Sequence, residues 1–139
     1  MTDGWPEHLP AVQVRVARPT DRLDAVVRFY HTALGLPIVD SFGGKGHQGY
    51  RGVMFGLPGT AYHLEFTQHD QGSPCPAPTE DNLLVFYVPD RAAIDRLAAR
   101  LASLGHHRVP PENPYWEERG VTVEDPDGWR VVLMNTAGI

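Results

Sequence analysis

Cysteine is nearly absent: Cys75 stands alone in 139 residues. One thiol closes no internal disulfide and builds no multi-cysteine zinc site. Lysine is as scarce, Lys45 being the single one among 12 basic residues, and we read the arginine excess as a compositional bias. Positive charge is outnumbered by 17 acidic residues, giving a net charge of −5. That balance argues against a nucleic-acid scaffold, which would show a basic patch. No apolar run approaches the roughly 18 residues of a membrane span. The opening Met1-Thr2-Asp3-Gly4-Trp5-Pro6 lacks the basic start and apolar stretch of a secretory leader. These absences lead us to expect a cytoplasmic, soluble protein with neither membrane nor nucleic-acid partners. What is present, 42% hydrophobic residues, suffices for the packed core of one domain.

A Pro-, Gly- and polar-rich stretch, residues 69–81, interrupts the chain near its middle and reads as a linker. Before it, Val12 to Ala17 alternates like a half-buried strand, and Pro19-Thr20-Asp21 then stops the strand and caps a helix. Leu23, Val26, Val27, Tyr30 and Leu34 recur at helical spacing, and Gly35 ends that helix. Extended runs follow at Ile38–Phe42, Arg51–Phe55 and Tyr62–Thr67. After the linker the order repeats. Leu83 to Val88 is a strand, and Pro89-Asp90 caps a helix carrying Ile94, Leu97, Ala98, Leu101 and Leu104 on one stripe. Gly105 ends the helix, and extended runs follow at His106–Val109, Val121–Glu124 and Trp129–Met134. Pro19 and Gly35 recur 70 positions on, as Pro89 and Gly105. This pattern is an internal duplication of a β-α-β-β-β unit. The expected fold is α+β, one domain over residues 1–139, with module one near 12–68 and module two near 82–136.

Phe29-Tyr30 with Leu34-Gly35-Leu36, His63-Leu64-Glu65-Phe66 and Asp125-Pro126-Asp127-Gly128 occur in order within this duplicated frame. In that combination the sequence resembles the vicinal oxygen chelate superfamily. Its members include glyoxalases, ring-cleaving dioxygenases, fosfomycin-resistance enzymes and bleomycin-binding proteins. The resemblance runs from about Val12 to Asn135. It implies two modules whose curved mixed sheets surround a cavity, with the helices packed outside. The Asp-Pro-Asp-Gly turn also has a purely structural reading: Asp initiates the turn, Pro presets φ, and Gly accepts positive φ.

Metal-dependent members of the superfamily place ligands on the first and last strands of each module. Carried over, the last strand of module one offers Glu65. The first strand offers Gln13 or Arg15, according to whether a two-residue insertion is allowed near Pro19. Gln13 could ligate, whereas a guanidinium has no lone pair to give. In module two the resemblance puts Asn82 and Val132 at ligand positions, so two donors are lost. Arg15 and Glu65 can instead form a charge-assisted pair. If a metal is held, the set is Glu65, His63 and Gln13. His63 and Glu65 are two apart on a strand and so share a face.

Other residues carry possible ligand contacts. Tyr115 and Trp116 lie in a Pro-rich loop, and in this superfamily such a segment folds over the cavity mouth; either ring could roof a flat ligand or plug the core rim. Arg130 shares parity with Val132, so it could anchor an anion or pair with an acid. Glu117-Glu118, His106-His107 and Cys75 read as a solvated face, a helix-end charge interaction and an inert linker thiol. Gly43-Gly44-Lys45-Gly46 lacks the rest of a phosphate-loop motif and reads as a hairpin loop.

The function expected from these readings is small-molecule binding of the glyoxalase/bleomycin resistance type without the superfamily's metal, with sequestration of a drug or metabolite as one form of it. The alternative is a metal-dependent lyase, isomerase or dioxygenase with an altered ligand set and a divalent cation. A third reading is a metal-free enzyme in which Glu65 is a general base. A homodimer is expected because open edge strands are otherwise an aggregation hazard.

Overall fold

The computed structural model describes residues 4–139. Module one contains β1 (Val14–Pro19), α1 (Leu23–Val27), β2 (Ile38–Phe42), β3 (Tyr50–Gly56) and β4 (Tyr62–His69). Module two contains β5 (Leu83–Tyr87), α2 (Arg91–Ser103), β6 (Gly120–Glu124) and β7 (Arg130–Met134). The first sheet has the order β1-β4-β3-β2 and the second β5-β7-β6. In each, the strand that opens the module lies parallel to the one that closes it, and the other neighbours are antiparallel. A parallel pair needs a long crossover, and the intervening helix and strands supply it. The architecture is thus the glyoxalase-like α+β arrangement of two mixed sheets.

Strand alternation sends Val53, Phe55, Leu64 and Phe66 of sheet one to the same side as α1. Val121, Val123, Val131 and Leu133 of sheet two likewise face inward. With Leu23, Val26, Phe29, Tyr30, Ile94 and Leu101 from the helical segments, they form one hydrophobic cluster that draws on both modules. Phe29 and Phe55 are fully buried within it.

The local structure departs from the sequence reading in several places. β1 begins at Val14, not Val12, and runs through Pro19, and α1 is N-capped by Arg22 without a side-chain hydrogen bond, so Pro19-Thr20-Asp21 does not supply its cap. The first helix is not uniform: after Val27 it continues as a π-helical stretch, Arg28–Ala33. That wider turn buries Phe29, Tyr30 and Ala33 together, while Val27 and Leu34 are only half-buried. Leu104, expected on the buried stripe of α2, is 49% exposed. It follows the last helical residue as the C-cap, so the helical spacing no longer governs its direction. The run His106–Val109 forms no strand but a single bridge from Val109 to Thr122. Pro110 and Pro111 follow at once and have no N–H to continue a ladder. The cap of α2 is as read: the Asp90 side chain accepts from the Ala92 amide. Among the described residues no helix is long and apolar enough to cross a membrane.

Candidate functional site

The register of sheet one decides which side chains meet on its face away from the core. Arg15 lies opposite His63 and Ala17 opposite Glu65 across the parallel pair. Met54 lies opposite Glu65 across the antiparallel one. Gln13, just ahead of β1, shares this face by parity. The four polar residues pair in twos. Gln13 Nε2 is 2.8 Å from His63 Nδ1. Arg15 Nη1 is 3.7 Å from Glu65 Oε1, with the Arg15 side chain 39% exposed and that of Glu65 15%. The Gln13 and Arg15 alternatives therefore do not compete, because each has its own partner on β4.

Glu65 also lines a cavity of about 490 Å³ between the modules. Ala17, Arg18 and Pro19 of β1 form one wall, with Tyr30, Leu64 and Phe66 behind them. Cys75 of the linker and Asn82, Leu83, Leu84, Trp129 and Arg130 also line the cavity. Its lining is mostly apolar, with a few convergent polar groups, which is the usual make-up of a small-molecule site.

The cavity floor is held by a buried charge network. Arg18 lies between two aromatic rings, its guanidinium carbon 4.8 Å from the Phe66 centroid and 4.9 Å from that of Trp129. Arg18 Nη2 donates to Asp125 Oδ2 at 2.5 Å and Nη1 to Asp127 Oδ2 at 2.9 Å. The Tyr30 hydroxyl donates to Asp125 Oδ2 at 2.7 Å, and the amides of Asp127 and Trp129 donate to Asp125 Oδ1. The Asp125 side chain is wholly inaccessible to solvent. Burial raises the Tyr30 phenol well above its ordinary range, and the Asp125 charge adds to the rise. Burial also pushes the Asp125 carboxyl up, while Arg18 and the Tyr30 hydroxyl draw it back. For Arg18, burial works against the cation, but the two aspartates outweigh it and leave the pKa raised. The Asp-Pro-Asp-Gly turn therefore does more than reverse the chain: it ties module two to β1 and to the first helix. Sequence reasoning missed Arg18 and Trp129 and took Tyr30 only as core. The signal available was a lone Arg on the inward parity of β1, which demands a buried acid.

The remaining candidates fall elsewhere. Arg130 lines the cavity, but its guanidinium is engaged on every nitrogen by Glu124, Glu80 and the Pro110 carbonyl at 2.9–3.1 Å. The acids that pair with it are these two glutamates, not Glu65. Tyr115 and Trp116 do not roof the cavity within the chain. The Asn113 side chain caps the short turn Pro114–Trp116 by accepting from the Tyr115 amide. That turn lies on the outer face of sheet two, where the Trp116 carbonyl leaves no room for a Cβ on Gly120. Tyr115 is 65% exposed and packs edge-on against Trp116.

The ligand positions carried over from the superfamily are only partly kept. At Glu65 a cation would meet the Arg15 guanidinium, and Val132, fully buried, offers no donor. Among the described residues no three His, Cys, Asp or Glu side chains converge as a ligand set.

Two family models match the chain: the YycE-like N-terminal domain over residues 14–67 and the YycE-like C-terminal domain over residues 81–135. The uncharacterized protein YycE of Bacillus subtilis is 52% identical over 129 residues, covering 93% of this chain and 91% of that protein. The crystal structure of YycE, a protein of unknown function grouped with glyoxalase and fosfomycin resistance proteins, superposes with a TM-score of 0.90 at 50% identity over 96% of each chain. More distant is glyoxalase I of Leishmania major, with a TM-score of 0.69 at 19% identity over 90% of this chain and 86% of that one. FosX of Listeria monocytogenes, a fosfomycin resistance protein solved with Mn(II) and a dihydroxypropylphosphonic acid, gives 0.69 at 15% identity over 88% and 90%. At those identities the last two share the fold with this chain.

Proposed function

This chain belongs to the YycE-like family of the vicinal oxygen chelate superfamily, and we propose that it binds a small molecule in the cavity between its modules without a metal at the superfamily's ligand positions. The observation that carries this reading is the pairing at the retained position: Glu65 already faces Arg15. A carboxylate held by a guanidinium is a poor ligand for a cation and a good acceptor for a ligand's N–H or O–H. The cavity suits a flat, mostly apolar body whose polar edge reaches Glu65; Gln13, Arg15 and His63 share the strand face of Glu65 but lie outside the cavity lining, and Arg130 lines it with its guanidinium already paired. Tyr115 and Trp116 lie outside this site in the single chain.

One observation favours the metal-dependent alternative. Gln13, His63 and Glu65 share one face, and a manganese-bound FosX has the same fold. For that set to bind, the Arg15–Glu65 pair would have to open. We also propose a homodimer. β1 and β5 each pair on one side only, and exposed apolar groups lie along them, Val16 at 52% and Tyr87 at 46%. Light scattering that finds only monomer across the micromolar range would rule it out.

The test combines metal analysis with binding. Protein purified without added metal should contain far less than one transition-metal ion per chain. A metabolite library screened by quenching of tryptophan emission should yield ligands whose binding survives EDTA. Glu65→Gln should weaken them by about 1–3 kcal/mol if Glu65 accepts a ligand hydrogen bond. Binding that requires a stoichiometric ion would promote the metal-dependent reading instead.

A further inference from the structure

The hairpin between β2 and β3, together with the end of β4, encloses a second cleft of about 870 Å³, lined by polar residues and glycines. It lies well away from the cavity. Along β4, His69 is four residues beyond Glu65, roughly 13 Å at strand rise. The cleft's shape is fixed from within. His69 Nε2 is 3.1 Å from the Gln48 carbonyl, and its Nδ1 accepts the Gln71 amide. Gly49 is doubly required: its φ is +86°, and a Cβ there would meet His69 Nε2 at 2.8 Å and Asp70 Oδ1 at 2.9 Å. The two loops are thereby pinned together.

Most charges in the cleft are already paired. Arg51 donates to Asp24 and Gln68, the Asp21 carboxylate accepts the Ser73 amide, and Asp70 lies beside His69. Lys45 differs. Among the described residues it has no acidic partner, although it is the chain's single lysine. The amides of Gly44, Lys45 and Gly46 likewise donate to no acceptor among the described residues, and all three residues line the cleft. Gly44 and Gly46 both have left-handed φ, +88° and +93°. Alternation of this kind turns successive N–H groups toward one point and makes an anion-binding concavity.

We propose that the Gly43–Gly49 hairpin binds the oxyanion group of a small polar ligand, a phosphoryl or carboxylate, through the Lys45 ammonium and the neighbouring amides. Asp21 and Asp70 also line the cleft, Asp70 against Gly49 of the hairpin, and they select ligands that also carry hydroxyl or ammonium donors and disfavour polyanions. The site is separate from the cavity and does not depend on its occupant.

The test is an NMR titration of the ¹⁵N-labelled full chain with inorganic phosphate, and separately with acetate, at ionic strength held constant with sodium chloride. Saturable shifts confined to Gly44, Lys45, Gly46 and Gly49 are expected, and the two anions distinguish phosphoryl from carboxylate preference. Lys45→Met should weaken binding roughly tenfold or more, the loss of a charge-assisted hydrogen bond. Lys45 is an exposed loop residue, so the variant's spectrum should otherwise match the parent's. Shifts that stay linear with both anions, that centre elsewhere, or that are unchanged in Lys45→Met would overturn the proposal.

Discussion

Replacing Arg18 with Met takes one charge out of the joint between the modules and leaves most of the packing. The methionine stem still fits between Phe66 and Trp129, but Asp125 loses its closest partner, at 2.5 Å. Arg18 is only 11% exposed and Asp125 not at all. Breaking a buried pair by removing one member costs about 3–5 kcal/mol. The Tyr30 hydroxyl and two backbone amides still donate to Asp125, which places the expectation near the lower end, about 3 kcal/mol. For a chain of this size that corresponds to a fall in Tm of roughly 10 °C. The loss should also depend on pH, with a sign fixed by the carboxyl. Burial already raises Asp125 above its ordinary value, and without Arg18 it rises further. The folded variant then holds a proton more tightly than the unfolded chain, so acidification favours its folded state. The gap between parent and variant should therefore narrow from pH 7 toward pH 5. Urea unfolding followed by tryptophan emission and by circular dichroism, at both pH values, measures it. A cost below about 1 kcal/mol, the range of exposed pairs, would refute the reasoning, as would a gap independent of pH.

Other outcomes follow from single contacts. His106 lies edge-on to Phe29 at 4.9 Å, and burial, with His107 adding to it, lowers its pKa from 6.5 against the pull of Asp125. The unfolded chain then binds the proton first, so stability should be full above pH 6.5 and fall as pH drops through the folded value; NMR titration of the imidazole gives that value, and His106→Phe should flatten the dependence. Gly49→Ala should cost more than about 1 kcal/mol, because left-handed φ and the His69 contact both penalise a side chain; thermal unfolding checks it, and an unchanged Tm would mean that the hairpin is not pinned as described. Thr20→Val removes the 2.6 Å hydrogen bond to Asp127 and the acceptor for the Arg22 amide, so a loss of about 1–3 kcal/mol is expected in urea unfolding.

Much of the fold was legible because it rests on repetition. Punctuation by Pro19 and Gly35, recurring as Pro89 and Gly105, located the helices, and alternation located the strands with their inward faces. The breaks came where the chain leaves a regular period: the π-helical stretch at Arg28–Ala33, and the Val109 bridge cut short by prolines. The candidate site was legible in part. Parity put Gln13, Arg15, His63 and Glu65 on one face, and complementary charge suggested the Arg15–Glu65 pair. Nothing local to Arg18 indicates that Asp125, 107 positions on, completes it, since that contact exists only once the modules pack. The same holds for Tyr115 and Trp116. Two aromatic rings in a polar loop announce that something will be covered, but only tertiary packing selects what.

Gene duplication hands a protein two copies of every surface, and here the copies have been put to different uses. The outer face of sheet one keeps its polar row open. Its counterpart on sheet two has Val132 and Met134 buried, with the Trp116 carbonyl of the chain's own short turn packed against Gly120 beside Met134. The second copy has been converted from a place where a guest could sit into a wall closed by the host. A hydrophobic wall tolerates exchange of one aliphatic residue for another of similar volume, whereas a row of paired polar groups does not. Aliphatic exchange should therefore be easier at Val132 of β7 than any replacement at Glu65 of β4, although the two strands hold equivalent places in the repeated pattern.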